Sequence, residues 1–243
     1  MISFVWSARY PFLAGAGGSE SYTAGHVREL MRRGIPARII TLGHGEKDGR
    51  EDFPDITFTA IKDQKELEAL DDTLIFVTYP LDVKTKRQSY AILHCPPPKF
   101  ARNDAQYNLK AFKDKKLITA SKFAAGLWRR QLKGHAGHMP TVYPFASPVF
   151  AEVERPKYSR SGKRRVLFAG RLTPDKGIYN LMASLHMDAL KDVDFSLTVT
   201  TSGAHTEEGR VILKLVKAHP WIRVVEARKT AEGMAKLMAR HDV

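Results

Sequence analysis

The chain is poor in cysteine, in acidic residues and in long apolar runs, and each shortage excludes something. With one thiol, Cys95, in 243 residues, neither an intrachain disulfide nor a cysteine-based zinc cluster can form. No apolar stretch approaches the length that crosses a bilayer, and the apolar N-terminus is too short for a signal peptide, so a cytoplasmic protein is expected. Internal repeats and low-complexity tracts are absent. No Gly-x-Gly-x-x-Gly follows a predicted strand directly, which argues against a dinucleotide oxidoreductase.

The shortage of acidic residues, 26 against 39 Lys and Arg, leaves a formal net charge of +13. Most of it lies between Lys84 and Lys133, where thirteen Lys and Arg meet only Asp104 and Asp114. Such a region is a solvated basic face, an attachment site for anionic lipid headgroups, or a nucleic-acid surface. No stacking module or nucleic-acid motif accompanies the charge, so nucleic acid is not expected as a partner. Peripheral contact of the 84–133 region with an anionic membrane, on its inner face, remains open. Within it, Phe123, Leu127, Trp128 and Leu132 stand among Lys122, Arg129, Arg130 and Lys133. That pattern fits a core-packed helix with snorkelling cations or an interfacial membrane helix, and core packing is favoured because a helix after a buried strand has to cover the sheet.

What the chain does contain is alternating β and α patterning. Short apolar strands are predicted over 2–6, 37–42, 56–60, 74–78, 91–95 and 116–120. Helices are predicted from Ser19 to before Gly34, with an apolar stripe of Val27, Leu30 and Met31, and over 64–70 and 121–132. Residues 44–55 read as a polar loop, and His94 and Cys95 end the fifth strand at three prolines that cannot continue a ladder. Glycines and prolines then break the pattern, placing a linker at 149–164 between domains at 1–148 and 165–243. The second domain repeats the alternation, with strands at 166–169, 195–200 and 222–225 and helices at 208–218 and 231–240. Parallel sheets with helices on both faces follow, giving an α/β chain of two Rossmann-like domains. His135 and His138 flank a Gly-rich loop with no carboxylate near them in sequence and read as solvated histidines, not a metal pair.

One stretch organises the functional reading: VLFAGRLTPDKGIYNLMASL, residues 166–185. A strand buried on both faces stops at Gly170, Arg171 follows, Pro174 and Asp175 turn the chain, and Lys176 opens a helix carrying Ile178, Leu181, Met182 and Leu185. Two cations beside a helix N-terminus, beyond the carboxyl end of a parallel strand, suit a diphosphate. Near the N-terminus, GGSESYTAGHVRELMRRGIPARIITLG provides a glycine loop, a helix and a second strand.

Together, in this order and one domain apart, these two motifs resemble those of group 1 glycosyltransferases, retaining enzymes of GT-B architecture. The resemblance implies transfer of a sugar from a nucleotide-diphosphate donor to a carbohydrate or lipid-linked acceptor, in polysaccharide or glycolipid synthesis, with no metal and no cofactor besides the donor substrate. Arg171 and Lys176 would neutralise the leaving diphosphate, with Gly17 and Gly18 letting backbone approach it. Glu20 and His94 would lie on the acceptor side, and His94 would join Arg171 and Lys176 in catalysis. In the family a Pro-Ser loop and a Glu-x7-Glu segment follow the position of His241 and Asp242, and neither occurs here. The C-terminal domain is therefore expected to be incomplete, with its first strand an unpaired edge, and an inactive nucleotide-binding fragment of the same fold is the alternative.

Overall fold

The computed structural model describes residues 1–77, 79–97, 109–132, 138–154, 162–184 and 192–242. Thr78, Lys99, Arg102, Asp104, Lys133, His135, Leu185, Val243 and linker residues 155–161 lie outside these ranges. The chain divides into two compact units, one of residues 1–14 and 18–145, the other of residues 15–17 with the chain from Ala146 onward.

In the first unit β1 (Ile2–Trp6), α1 (Gly18–Arg32), β2 (Ala37–Leu42), β3 (Phe58–Ile61), α2 (Gln64–Ala69), β4 (Thr73–Val77), β5 (Ser89–Leu93), β6 (Lys115–Thr119) and α3 (Lys122–Gln131) succeed one another. The strands form one parallel sheet in the order β3-β2-β1-β4-β5-β6. Alternation along β1 sends Val5 to a core with Ile40, Phe76, Leu93 and Trp128, and Phe4 and Trp6 to another with Ile39, Tyr22 and Val27. With apolar layers on both faces, the carboxyl ends of the strands are left for polar chemistry.

Helix α1 buries the expected stripe only in part: Val27 is fully buried and Leu30 packs against the core, but Met31 does not join them. Glu20, Tyr22, Thr23, Ala24 and Val27 face inward, while Met31 is 40% exposed. The helix begins at Gly18, ahead of the expected Ser19 cap, and its inner face is set by where Tyr22 finds the core. Helix α3 is capped by the Ser121 hydroxyl, which accepts from the Ala124 amide at 3.1 Å. Trp128 and Leu132 are buried, and the Trp128 indole donates to the Cys95 carbonyl at 2.7 Å, tying α3 to the residue after His94. Phe123 stays outside the core, 71% exposed. Among the described residues no helix is long and apolar enough to cross a membrane.

The second unit holds α4 (Val149–Glu152), β7 (Arg164–Phe168), α5 (Ile178–Ser184), β8 (Phe195–Thr200), α6 (Glu207–Lys217), β9 (Ile222–Val225) and α7 (Ala231–Ala239). Its parallel sheet has the order β7-β8-β9, over a core of Leu172, Ile178, Leu197, Val199, Ile212 and Val216. Strand β7 is half-buried throughout instead of buried on both faces, because it is the edge of this sheet. Nor is that edge bare. The Asp242 amide donates to the Arg165 carbonyl at 2.7 Å, and the Asp242 carboxylate accepts from the Arg165 amide at 2.9 Å and guanidinium at 2.8 Å.

Lys176 is not in the first turn of α5. It closes a 3₁₀ turn, Pro174–Lys176, and Gly177 separates that turn from the helix with φ at 77°. Left-handed backbone cannot continue an α-helix, and the Gly177 amide instead satisfies the Pro174 carbonyl at 2.9 Å.

Candidate functional site

The loop leaving β7 is built around two anchors, Leu172 and Ile178, both fully buried. Backbone bonds stiffen what lies between: the Leu172 amide donates to the Ser202 carbonyl at 2.8 Å, Thr173 to Arg171 at 2.8 Å and Lys176 to Thr173 at 3.1 Å. Gly203, with φ at 80°, lies so close that an added Cβ would stand 3.3 Å from the Leu172 nitrogen and 3.5 Å from the Arg171 Cβ. Gly170 would put a Cβ 3.2 Å from the Phe168 ring and 3.5 Å from the Lys176 Cβ. The chain is thus packed tightly beneath Arg171 and Lys176, whose side chains face solvent.

Those two cations are unequal. Lys176 pairs with its neighbour Asp175 at 3.6 Å. The Thr173 hydroxyl beside it, then Lys176 and Arg171, hold the Asp175 carboxyl below its ordinary range. The Arg171 guanidinium has no hydrogen bond or ion pair with a described residue. Sequence spacing marks both cations as candidates, and the pairing of one of them with Asp175 is seen only in the structure.

In the first unit His94 directly follows β5 and meets α1 through Tyr22. The rings of His94 and Tyr22 stand edge to face, 4.7 Å between centroids, and Tyr22 lies 4.1 Å from His26. His26 Nδ1 is 2.8 Å from the Tyr22 carbonyl, which can only accept, so Nδ1 carries a proton. The Tyr22 hydroxyl donates to the Val142 carbonyl at 3.1 Å, and burial pushes it up to about 12. Burial, with His26 adding to it, lowers His94 from 6.5 to about 4, and its Nε2 is buried without a hydrogen-bond partner among the described residues. His94 is therefore a neutral imidazole at pH 7.

Glu20 is buried in the first turn of α1, where a carboxylate suits the helix dipole. Gly18 begins that helix, and a Cβ added there would meet no protein atom within 4 Å, so packing does not demand a glycine. Gly17 clusters with the second unit and Gly18 with the first. His138 is exposed. Among the described residues no group of three or more His, Cys, Asp or Glu is placed to hold a metal ion.

Sequence reading missed what anchors the chain at Phe12 and Ala14, ahead of the glycine loop. Asp48, in the stretch taken as a polar loop, is buried and accepts from the Thr41 hydroxyl at 2.8 Å and the Arg50 guanidinium at 2.9 Å, while its carbonyl accepts from the Phe12 amide at 2.9 Å. Burial raises this carboxyl, but Arg50 and Thr41 outweigh it and the net shift is downward. Asp52 accepts from the Ala14 amide at 3.0 Å. An Asp followed by Gly and Arg in a polar stretch was the available signal, and it also describes any surface turn.

No protein-family model matches the chain, and no curated protein sequence does. Solved structures do. An alpha-glucosyltransferase in complex with UDP-glucose and DNA containing an abasic site superposes with a TM-score of 0.61 at 12% identity, over 99% of this chain and 70% of that one. An alpha-glucosyltransferase with UDP and a 13-mer DNA containing a HMU base gives 0.59 at 13%, over the same shares. The lipopolysaccharide outer core galactosyltransferase WaaB gives 0.57 at 11%, over 99% of this chain and 72% of that one. The protein thus has the α/β fold of the GT-B glycosyltransferases, two parallel sheets each flanked by helices. The expectation that nucleic acid has no place among its partners is overturned, because structures sharing this fold hold DNA.

Proposed function

We propose that the protein transfers a sugar from a nucleotide diphosphate to an acceptor hydroxyl, with retention of configuration and without a metal, and that Arg171 and Lys176 receive the departing diphosphate. The observation that carries this reading is Arg171 itself. It is an exposed guanidinium with no hydrogen bond or ion pair to a described residue, on a tightly packed loop just beyond a parallel strand, in a fold shared along 99% of the chain with a UDP-glucose-bound transferase. Negative charge grows on the leaving phosphate oxygen as the sugar bond breaks, and a cation already fixed there lowers the barrier without reorganising. Lys176 has to loosen its grip on Asp175 first, so Arg171 supplies the larger share.

His94 contributes a hydrogen bond and not a charge. A neutral imidazole whose Nε2 has no partner among the described residues suits a sugar or acceptor hydroxyl, which can donate to it or accept from it according to tautomer. Gly17 and Gly18 offer backbone to the diphosphate, and Glu20 keeps the start of α1 in place on the acceptor side. The acceptor is a glycan or lipid-linked glycan on the motif resemblance, and the DNA-bound neighbours add nucleic acid as a second class. The +13 charge favours an anionic acceptor of either class.

Calorimetry with UDP, ADP and GDP tests the reading. One of them should bind, and Arg171→Ala should weaken that binding tenfold or more with an unchanged melting temperature, as expected when a charge-assisted bond worth about 1.5–3 kcal/mol is lost. Unchanged affinity would remove Arg171 from the site. Labelled UDP-sugar offered with a glycan or with DNA then decides the acceptor.

A further inference from the structure

We infer that the outer face of α3 is a docking surface for single-stranded nucleic acid, an interaction that goes beyond the glycosyl-transfer reading and fails or stands independently of it. The face is made by Lys122, Phe123, Gly126, Arg129 and Arg130, at positions that recur over little more than two turns, about 12 Å along the axis. Three of these choices run against helix stability. Lys122 puts a cation in the first turn, where the helix dipole disfavours it and no acidic residue offsets it. Phe123 leaves an aromatic ring 71% exposed. Gly126 is a poor helix former in the middle of the helix, and beyond it lies open space, with no atom within 4 Å of an added Cβ.

Arg129 reaches the Met139 carbonyl only at 3.5 Å, and neither Lys122 nor Arg130 has a hydrogen bond or ion pair with a described residue. Two cations with no partner among the described residues, bracketing an exposed ring with a bare backbone between them, match a strand that presents phosphates and bases alternately. The same face fits a membrane poorly. The apolar side of α3, Ala124, Ala125 and Trp128, is spent on the protein core and Leu127 is only partly accessible, which leaves Phe123 as the one large apolar side chain of α3 that is exposed.

The test is fluorescence anisotropy of the full chain with a labelled oligothymidylate, beside heparin and phosphatidylserine vesicles. Binding at low salt should fall with a log–log slope of about −2 as salt rises. Phe123→Ala should weaken oligothymidylate about tenfold through lost stacking and leave heparin unchanged. Lys122→Glu with Arg130→Glu should weaken both, and Lys122→Gln with Arg130→Gln should do so by less. All of these residues are exposed, so melting temperatures should stay near wild type. No binding at low salt, an oligothymidylate affinity that Phe123→Ala leaves untouched, or substitutions that release the protein from vesicles but not from oligothymidylate would each overturn the inference.

Discussion

Tyr22 stands edge-on to His94, with 4.7 Å between ring centroids and 86° between ring planes. That single contact joins the start of the first helix to the end of the fifth strand, and it makes His94 a probe of the packing around it. An unfolded histidine takes up its proton as pH falls below about 6.5, whereas His94 in the fold resists protonation until about 4. Protonation thus favours the unfolded state across that window. Stability should be unaffected above pH 6.5 and should drop by about 2–3 kcal/mol on descending to pH 4. Denaturant melts at a series of pH values should show this slope in wild type and lose that part of it in His94→Gln.

Asp175 competes with a bound anion for Lys176. Asp175→Asn should free the lysine and remove a like charge from beside the diphosphate, raising nucleotide diphosphate affinity about threefold, as suits an exposed pair. Calorimetry reads this directly. A weaker affinity would mean that Asp175 instead holds Lys176 in its working position.

Two glycines should behave oppositely when changed to alanine. At Gly25 the new methyl would run into the far end of the Phe145 ring, 2.3 Å from Cζ, and that ring is 54% exposed and can swing away. Gly25→Ala should therefore cost or gain less than about 1 kcal/mol, helped by helix propensity, while abolishing nuclear Overhauser contacts between Phe145 and His26. At Gly49, with φ at 91°, the methyl would stand 2.1 Å from the Phe12 carbonyl oxygen, which is backbone. Gly49→Ala should destabilise by about 3 kcal/mol or more or prevent folding, as measured by denaturant melts.

Asp48→Ala should cost about 2–3 kcal/mol, because Thr41 and Arg50 lose their acceptor inside the fold. Amide exchange should locate the damage at Phe12 and Ala14, in the chain leading to the glycine loop.

The parts of this architecture that were legible in sequence are those written in neighbouring residues. Strands β8 and β9 are bounded as their apolar runs predict, and the helix read over 121–132 is found as α3, shorter by the Ser121 cap and by Leu132. Other features depend on partners far along the chain. That β7 is an edge follows from strand order, which no local pattern records, and so the two-sided burial expected of it fails. The inner face of α1 turned out to hold Glu20 and Thr23 instead of Met31, since Tyr22 is fixed by His94 and Val142, residues more than seventy positions away. Spacing marks Arg171 and Lys176 as candidates, but the glycine that ends the Lys176 turn reads equally well as helix start or helix break. Only its positive φ decides which.

That glycine has a mechanical consequence. Because Gly177 uncouples the Lys176 turn from α5 and both flanks are nailed into the core, the span from Thr173 to Lys176 behaves like a short bridge between two piers. Its traffic can be changed without disturbing the piers. Swapping side chains along those four positions would retune which anion is gripped, and how firmly, while the sheet and helix beneath keep their packing.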